Sequence, residues 1–398
     1  MTLRGDVMDR EEVTRGPEQP RAGNDSGWLL LCAVVALLCG IGLMMVLSAS
    51  SVEALRSYGG AWLFFERQAM WVGLGVIALI VVARVDYRVW RRLAAPMVVV
   101  SLLLLALVLI PGMGISVSGS SRWLGLGQWR FQPAELAKLA LLLFAADVLA
   151  RQFERRSERA IALRRPPRPL VLKPVLLATG ALTVLILLQP DMGTSIILVS
   201  LVLVVLFVGG ASVRAMSALL VICTVGGVVI GLVESYRRAR LLSFLHPWDD
   251  VSNTGYQVAQ SLVALGSGRV TGVGLGASRA KWGFLPNAHT DFIFAIIGEE
   301  MGLLGTLVVV ALFLTFAFGG VRAALRAPDR FGTLVAAGVT AWVVVQALIN
   351  IGAVSAVMPV TGVPLPFVSF GGSSLVITMG AVGLLVNVAR RGTAPRVR

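Results

Sequence analysis

Charge is what this sequence has least of. Of its 398 residues, 14% are Asp, Glu, Lys or Arg and 57% are hydrophobic, whereas soluble domains carry about a quarter charged. That shortfall excludes a soluble globular chain. Histidine is nearly missing, and His246 and His289 alone cannot build a histidine metal cluster. The three cysteines, Cys32, Cys39 and Cys223, lie in apolar runs. An odd number without CxxC spacing gives neither a disulfide framework nor a zinc site. The glycines of "GSGRVTGVGLG" fit neither GxGxxG nor a P-loop and follow no βαβ pattern, so no nucleotide site is expected. No cleavable signal peptide is expected either, because the first apolar run is too long for one and follows a polar tail.

What is abundant is apolar sequence in long runs. They recur near 28–50, 68–86, 94–111, 132–150, 171–189, 192–209, 213–234, 291–320, 334–358 and 371–389. About 20 residues cross ~30 Å of hydrocarbon. The expectation is an all-α polytopic membrane protein of about ten transmembrane helices. Residues 1–27 read as a disordered tail, 28–390 as the membrane domain with an outer loop at 235–290, and 391–398 as a short tail.

Ten spans put both termini on one side. Lys and Arg concentrate there, above all in "RQFERRSERAIALRRPPRPLVLK" from Arg151 to Lys173, which marks that side as cytoplasmic. The net charge of +14 therefore reads as topology. Nucleic-acid binding is disfavoured, since the Arg lies in short segments without interleaved aromatics.

Two outer connections are unusual. The 235–290 loop is too long and too apolar for a simple linker; "YQVAQSLVAL" spaces Tyr256, Ala259, Leu262 and Val263 along one helical face, and Trp248 and Trp282 suit a membrane interface. An ordered loop against the outer leaflet is expected. The second is "MPVTGVPLPFVSFGGSS", Met358 to Ser374, whose Pro and Gly forbid regular helix. Irregular backbone at membrane depth needs burial in protein or a wet cavity, so this segment is expected to re-enter and line a cavity.

Charges within spans cost roughly 2.5–3.5 kcal/mol each at the centre, so those present ask for a reason. Asp291 stands at the entrance of the eighth span. It suits a helix cap or, if desolvated, a general base. Glu299 and Glu300 lie deeper. At about 100° per residue Glu300 points roughly opposite Asp291, so they form no carboxylate dyad with it. Pairing with a base or a backbone group is the expectation for both. Glu135 and Lys138 share a helix face as an i,i+3 pair. Lys138, Arg130, Arg67, Arg122 and Lys281 together place cations toward the outer side, which suits a diphosphate. Asp191 in "QPDMGTS" reads as a cap.

The motifs go further than the physics. "NTGYQVAQSLVALGSG", "GVGLGASRAKWGFLPNAHTDFIFAIIGEEMG", "TGVPLPFVSFGGSSL", "FERQ" and "FQPAELAKL" closely resemble the SEDS family (shape, elongation, division and sporulation). The likeness covers residues 28–390 and leans to the division branch over the elongation branch. Asn287 and Phe370 depart from the glutamate and tyrosine usual in the family at these places.

The resemblance implies a peptidoglycan glycosyltransferase. It would polymerise lipid II, an undecaprenyl-diphosphate disaccharide, at the outer face of the bacterial cytoplasmic membrane during septation. It implies Asp291 as the catalytic residue, with Lys281, Arg67, Lys138, Glu135, Arg130 and Arg122 serving the diphosphate or the cavity's electrostatics. His289, Thr290, Glu299, Glu300, Ser369 and Gly372 are supporting residues. A class B penicillin-binding protein is the implied partner, and a divalent cation, Mg2+ or Mn2+, is a candidate cofactor. The alternatives are a lipid II flippase, an elongation-type polymerase and a non-enzymatic scaffold.

Overall fold

Each long apolar run becomes a helix in the computed structural model, which describes residues 27–117, 120–126, 129–163, 171–233, 248–249 and 255–392. The helices are α1 (Gly27–Tyr58), α2 (Leu63–Arg84), α3 (Tyr87–Val108), α4 (Pro133–Leu163), α5 (Lys173–Leu188), α6 (Met192–Val208), α7 (Val213–Val233), α8 (Tyr256–Ser267), α9 (Ile293–Leu325), α10 (Arg330–Val354) and α11 (Ser373–Arg391). Six of them, α1, α2, α3, α9, α10 and α11, are long and apolar enough to cross a membrane. Helices α5 and α6 are shorter and equally apolar, as is α7 over Val213–Gly227. Helix α4 carries Glu135, Lys138 and Asp147 along with its apolar residues. The tails expected at 1–27 and 391–398 fall outside the described residues but for Gly27, Arg391 and Gly392, and Gly27 and Arg391 are helical.

Helices α10 and α11 are the centre of the bundle. Of their most apolar stretches 67% and 78% are buried, against 11% for α2, whose large apolar side chains face outward where lipid would cover them. Interactions between helix ends show that the chain alternates direction. On one side Tyr87 Oη donates to Asp329 at 2.7 Å, Arg391 pairs with Asp86 at 2.6 Å, and Arg91 binds Asp147 at 2.6 Å and both oxygens of Glu154. These residues start α3, end α11, precede α10 and occupy the middle and distal part of α4. The first three belong to turns and helix ends that the chain's alternation puts together.

Three features depart from the sequence reading. The chain is not wholly α: between α3 and α4, β1 (Ile115–Val117), β2 (Ser120–Leu126) and β3 (Trp129–Phe131) form a three-stranded antiparallel sheet in that order. Helix α4 runs to Leu163, through charged residues assigned above to a loop, since Glu and Arg are good helix formers wherever lipid is not the solvent. In α8 the buried face is Val258, Ala259, Ser261 and Ala264, while Val263 is 53% exposed. A hydroxyl displaces the expected valine from the inner face because Ser261 Oγ donates to Val354 O at 2.8 Å, which meets its polar demand. Trp248 and Trp282 are exposed, as an interface requires.

Candidate active site at the outer rim

The 355–372 connection between α10 and α11 has no regular structure, yet Leu365, Pro366, Phe367, Val368 and Ser369 are buried. It reaches far into the bundle: the Phe367–Val368 backbone lies against Gly42 of α1, and the Phe367 ring is 6.2 Å from that of Phe316 on α9. Pro359, Pro364 and Pro366 keep it from coiling, and buried donors satisfy its backbone.

This connection holds the segment leading into α9. Phe370 N–H donates to His289 O at 3.0 Å, Ser369 Oγ to Thr290 O at 2.6 Å, and Asn350 Nδ2 to Asp291 O at 2.7 Å. Three successive carbonyls are thus each taken by one donor. Asn350 Nδ2 also donates to Val363 O at 2.8 Å, while Ser369 Oγ accepts from Leu365 N–H at 2.8 Å. The Ser369 carbonyl takes a bond from Gln68 of α2 at 3.2 Å. Asp291 stands one residue before the α9 N-cap, Phe292. The carboxylate is half-buried and approaches Gly362, where a Cβ would sit 3.6 Å from Oδ2. His289 is wedged between Phe64 and Phe370, with Nδ1 3.3 Å from Glu53. Gly372 caps α11 with φ of 51°.

Glu299 and Glu300 have a different job. Glu299 accepts from Ser278 Oγ at 2.5 Å and from the N–H groups of Arg279 and Ala280 at 2.9 and 3.3 Å. It caps the short 3-10 turn Ala280–Trp282. Glu300 accepts from Ser48 of α1 at 2.6 Å and from Ser278 N–H at 3.3 Å. Just beyond them α9 breaks at Gly302, φ 67° and ψ −163°, and the interrupted helix bonds are replaced by the loop. Leu303 and Leu304 N–H donate to Arg269 and Val270 O, while Val273 and Gly274 N–H donate to Glu299 and Glu300 O. The two acids and the break lock the outer loop onto α9, in keeping with the pairing expected of them.

The five cations are divided among different partners. Lys138 Nζ is 2.9 Å from Glu135, donates to Gln346 Oε1 at 3.1 Å and lies over the Trp342 ring, all buried. Lys281 Nζ donates to Gly276 O at 2.5 Å and faces Glu300 at 3.7 Å, with its side chain 7% exposed. Arg122 on β2 donates to Gln189 and Pro190 O and lies 3.9 Å from Asp191, which caps α6 through Thr194 N–H at 3.0 Å. Arg130 on β3 is exposed. Arg67 is half-buried on α2, next to Gln68.

Residues 29–394 match the cell cycle protein family FTSW_RODA_SPOVE. The chain belongs to this family, the SEDS proteins. It is 40% identical over 364 residues to the probable peptidoglycan glycosyltransferase FtsW of Geobacter metallireducens, covering 91% of this chain and 94% of that one. To the stage V sporulation protein E of Bacillus subtilis it is 41% identical over 362 residues, 91% and 96% of the two chains. Among solved structures, one described as a peptidoglycan synthase complex coordinating polymerization and crosslinking has a chain matching at a TM-score of 0.70. That match has 30% identity and covers 92% of this chain and 98% of the other. The rod shape determining protein RodA of Thermus thermophilus gives 0.65 at 29% identity, over 91% and 96%.

Several contacts of this SEDS site escaped the sequence reading: Asn350, Gln346, Gln68, Ser48, Ser278 and Glu53. Each is a polar residue in a helix or loop to which the sequence assigns no role by itself, although Gln68 lies in FERQ and Ser278 in GVGLGASRAKWG. Asn350 and Gln346 do carry a signal, being amides in an otherwise apolar span, where an unmet polar group is costly.

Proposed function

We propose that this protein is a peptidoglycan glycosyltransferase that polymerises lipid II at the outer face of the cytoplasmic membrane in cell division. The observation that carries the reading is a half-buried carboxylate, Asp291, held by three consecutive carbonyl bonds beside an irregular buried loop. Membership in a family whose relatives are named as such transferases supports it. In this reading α4 to α7 complete ten spans, both termini are cytoplasmic, and the Asp291 end of the bundle is external. The partner is a class B penicillin-binding protein.

Asp291 acts as general base, taking the proton from the acceptor's 4-hydroxyl as that oxygen attacks the donor's anomeric carbon. The bond to the lipid diphosphate breaks and the electron pair leaves with it. A diphosphate is already a good leaving group, so the protein's task is to position both sugars and offset negative charge. One-step inversion needs a single base and no paired carboxylate nucleophile. Arg67 and Arg130 supply positive charge from the outer side. Lys138, Lys281 and Arg122, bound to Glu135, Glu300 and the α5–α6 turn, contribute to the field from within the protein.

Among the described residues no three His, Cys, Asp or Glu side chains group as metal ligands. A Mg2+ or Mn2+ ion would therefore be held by one or two carboxylates together with the substrate's diphosphate rather than by a cage of protein ligands.

Lipid transport is the second reading, and the broken α9 favours it, since carriers bind substrate at interrupted helices. Here, however, loop residues 269–274 already occupy the freed backbone groups. The test is lipid II polymerisation by the purified protein with its transpeptidase partner. Asp291→Ala is expected to abolish glycan strands while folding and partner binding persist. Unchanged synthesis by that variant would remove Asp291 as base, and lipid scrambling without polymer would make the protein a carrier.

A further inference from the structure

The carbonyl of Asp291 is anomalous. In a regular helix start it would accept from Ala295 N–H, but that group donates instead to Phe292 O at 2.9 Å. The hydrogen bonds of α9 begin one residue late, and the carbonyl of the proposed base is left for an outside donor. Asn350, 59 residues away in sequence, supplies it. Its other N–H goes to Val363 O at 2.8 Å, next to Gly362, the residue that approaches the Asp291 carboxylate. The amide orientation follows from these partners: rotating it by half a turn would set Oδ1 against two carbonyl oxygens. Oδ1 is itself buried and has no hydrogen-bond partner among the described residues. A leucine of similar size would avoid that unmet acceptor but would orphan two buried carbonyls in its place.

We propose that Asn350 is a positioning residue for glycosyl transfer. Its two N–H groups join the Asp291 peptide to the 355–372 connection, so base and loop meet the substrate as one rigid unit. Holding the Asp291 carbonyl fixes that peptide plane, and with it the direction of the Cα–Cβ bond that aims the carboxylate. This inference rests on Asp291 being the base.

The experiment uses the full-length protein with its transpeptidase partner and lipid II, comparing Asn350→Leu, Asn350→Asp and Asp291→Ala. For Asn350→Leu, kcat is expected to fall about 100-fold, the size of loss that follows an ångström-scale misplacement, with KM unchanged. Asn350→Asp can donate only while its buried carboxyl is protonated. It should therefore retain part of its turnover at low pH and lose it as pH rises, a limb the parent lacks. The other ionisable groups on the segments packed against it are Asp291 and His289 on the clamped segment, Glu299 and Glu300 on α9, the Glu135–Lys138 pair beneath Gln346, Tyr256 on α8, and Asp191 with Arg122 at the start of α6, where Gly193 lies against Val363 and Thr361. All are common to parent and variant. The loop 355–372 has none.

Parental kcat and pH profile in both Asn350 variants, with Asp291→Ala inactive, would overturn this inference alone. Activity in Asp291→Ala would instead overturn the reading beneath it. Should Asn350→Leu fail to fold, the pH profile of Asn350→Asp decides, and a loss independent of pH in folded protein counts against positioning.

Discussion

Lys138 Nζ stands 2.9 Å from Glu135 Oε1, with the two side chains 1% and 4% exposed. A pair so buried is held by mutual need: each charge alone would face the full cost of desolvation. Lys138→Ala is expected to destabilise the protein by about 3–5 kcal/mol, because Glu135 is left uncompensated. Replacing both, as Lys138→Met with Glu135→Gln, should cost clearly less. Thermal unfolding in detergent measures both. Equal losses would mean that the lysine is needed for more than its partner.

Gly302 sits at a backbone conformation that residues with a Cβ rarely adopt, and an added Cβ would collide with the backbone of Gly272 and Val270. Gly302→Ala should cost at least about 1–3 kcal/mol from backbone strain alone. It should also detach the 268–274 segment, seen as faster amide exchange at Val273, Gly274, Leu303 and Leu304. Parental protection there would show that α9 tolerates a regular path.

Ser369 Oγ donates to Thr290 O and accepts from Leu365 N–H. Ser369→Ala strands both groups in a buried site, at about 1–3 kcal/mol for each. We expect lower melting temperature together with reduced polymer synthesis, since the same bond steadies the residue before Asp291. A variant that melts early yet polymerises at the parental rate would separate the loop from the chemistry.

Asp86, in the turn between α2 and α3 and outside both helices, accepts from Arg88 N–H and from Arg391. The Arg88 backbone N–H first, and the Arg391 guanidinium after burial's opposing effect, hold its carboxyl below the usual range. A lowered folded-state pKa contributes stability that is complete above the unfolded value of about 3.9 and lost as pH falls through the folded value. Asp86→Asn should therefore lower stability near pH 7 and change it little at the acid end, which flattens the acid side of the stability–pH curve. An identical acid limb would assign that loss to other carboxylates.

The helical membrane class, the positions of most helices and the place of Asp291 before α9 were all legible from residue order. These follow from local composition, because a run of about 20 apolar residues is stable across hydrocarbon whatever its neighbours are. The pairing of Glu135 with Lys138 and the capping by Asp191 were legible too, being contacts within three residues.

Tertiary structure alone decided which distant donors meet the carbonyls of 289–291, how the cations are partitioned among Glu135, Glu300 and the α5–α6 turn, and where the small sheet forms. It also decided that Glu299 and Glu300 serve the outer loop. The reason is that a buried polar group must find a partner, and the sequence says that it must without saying which. Thr290 and Ser369 are 79 residues apart, and only the packing of α10 and its irregular connection against α9 brings them within a hydrogen bond.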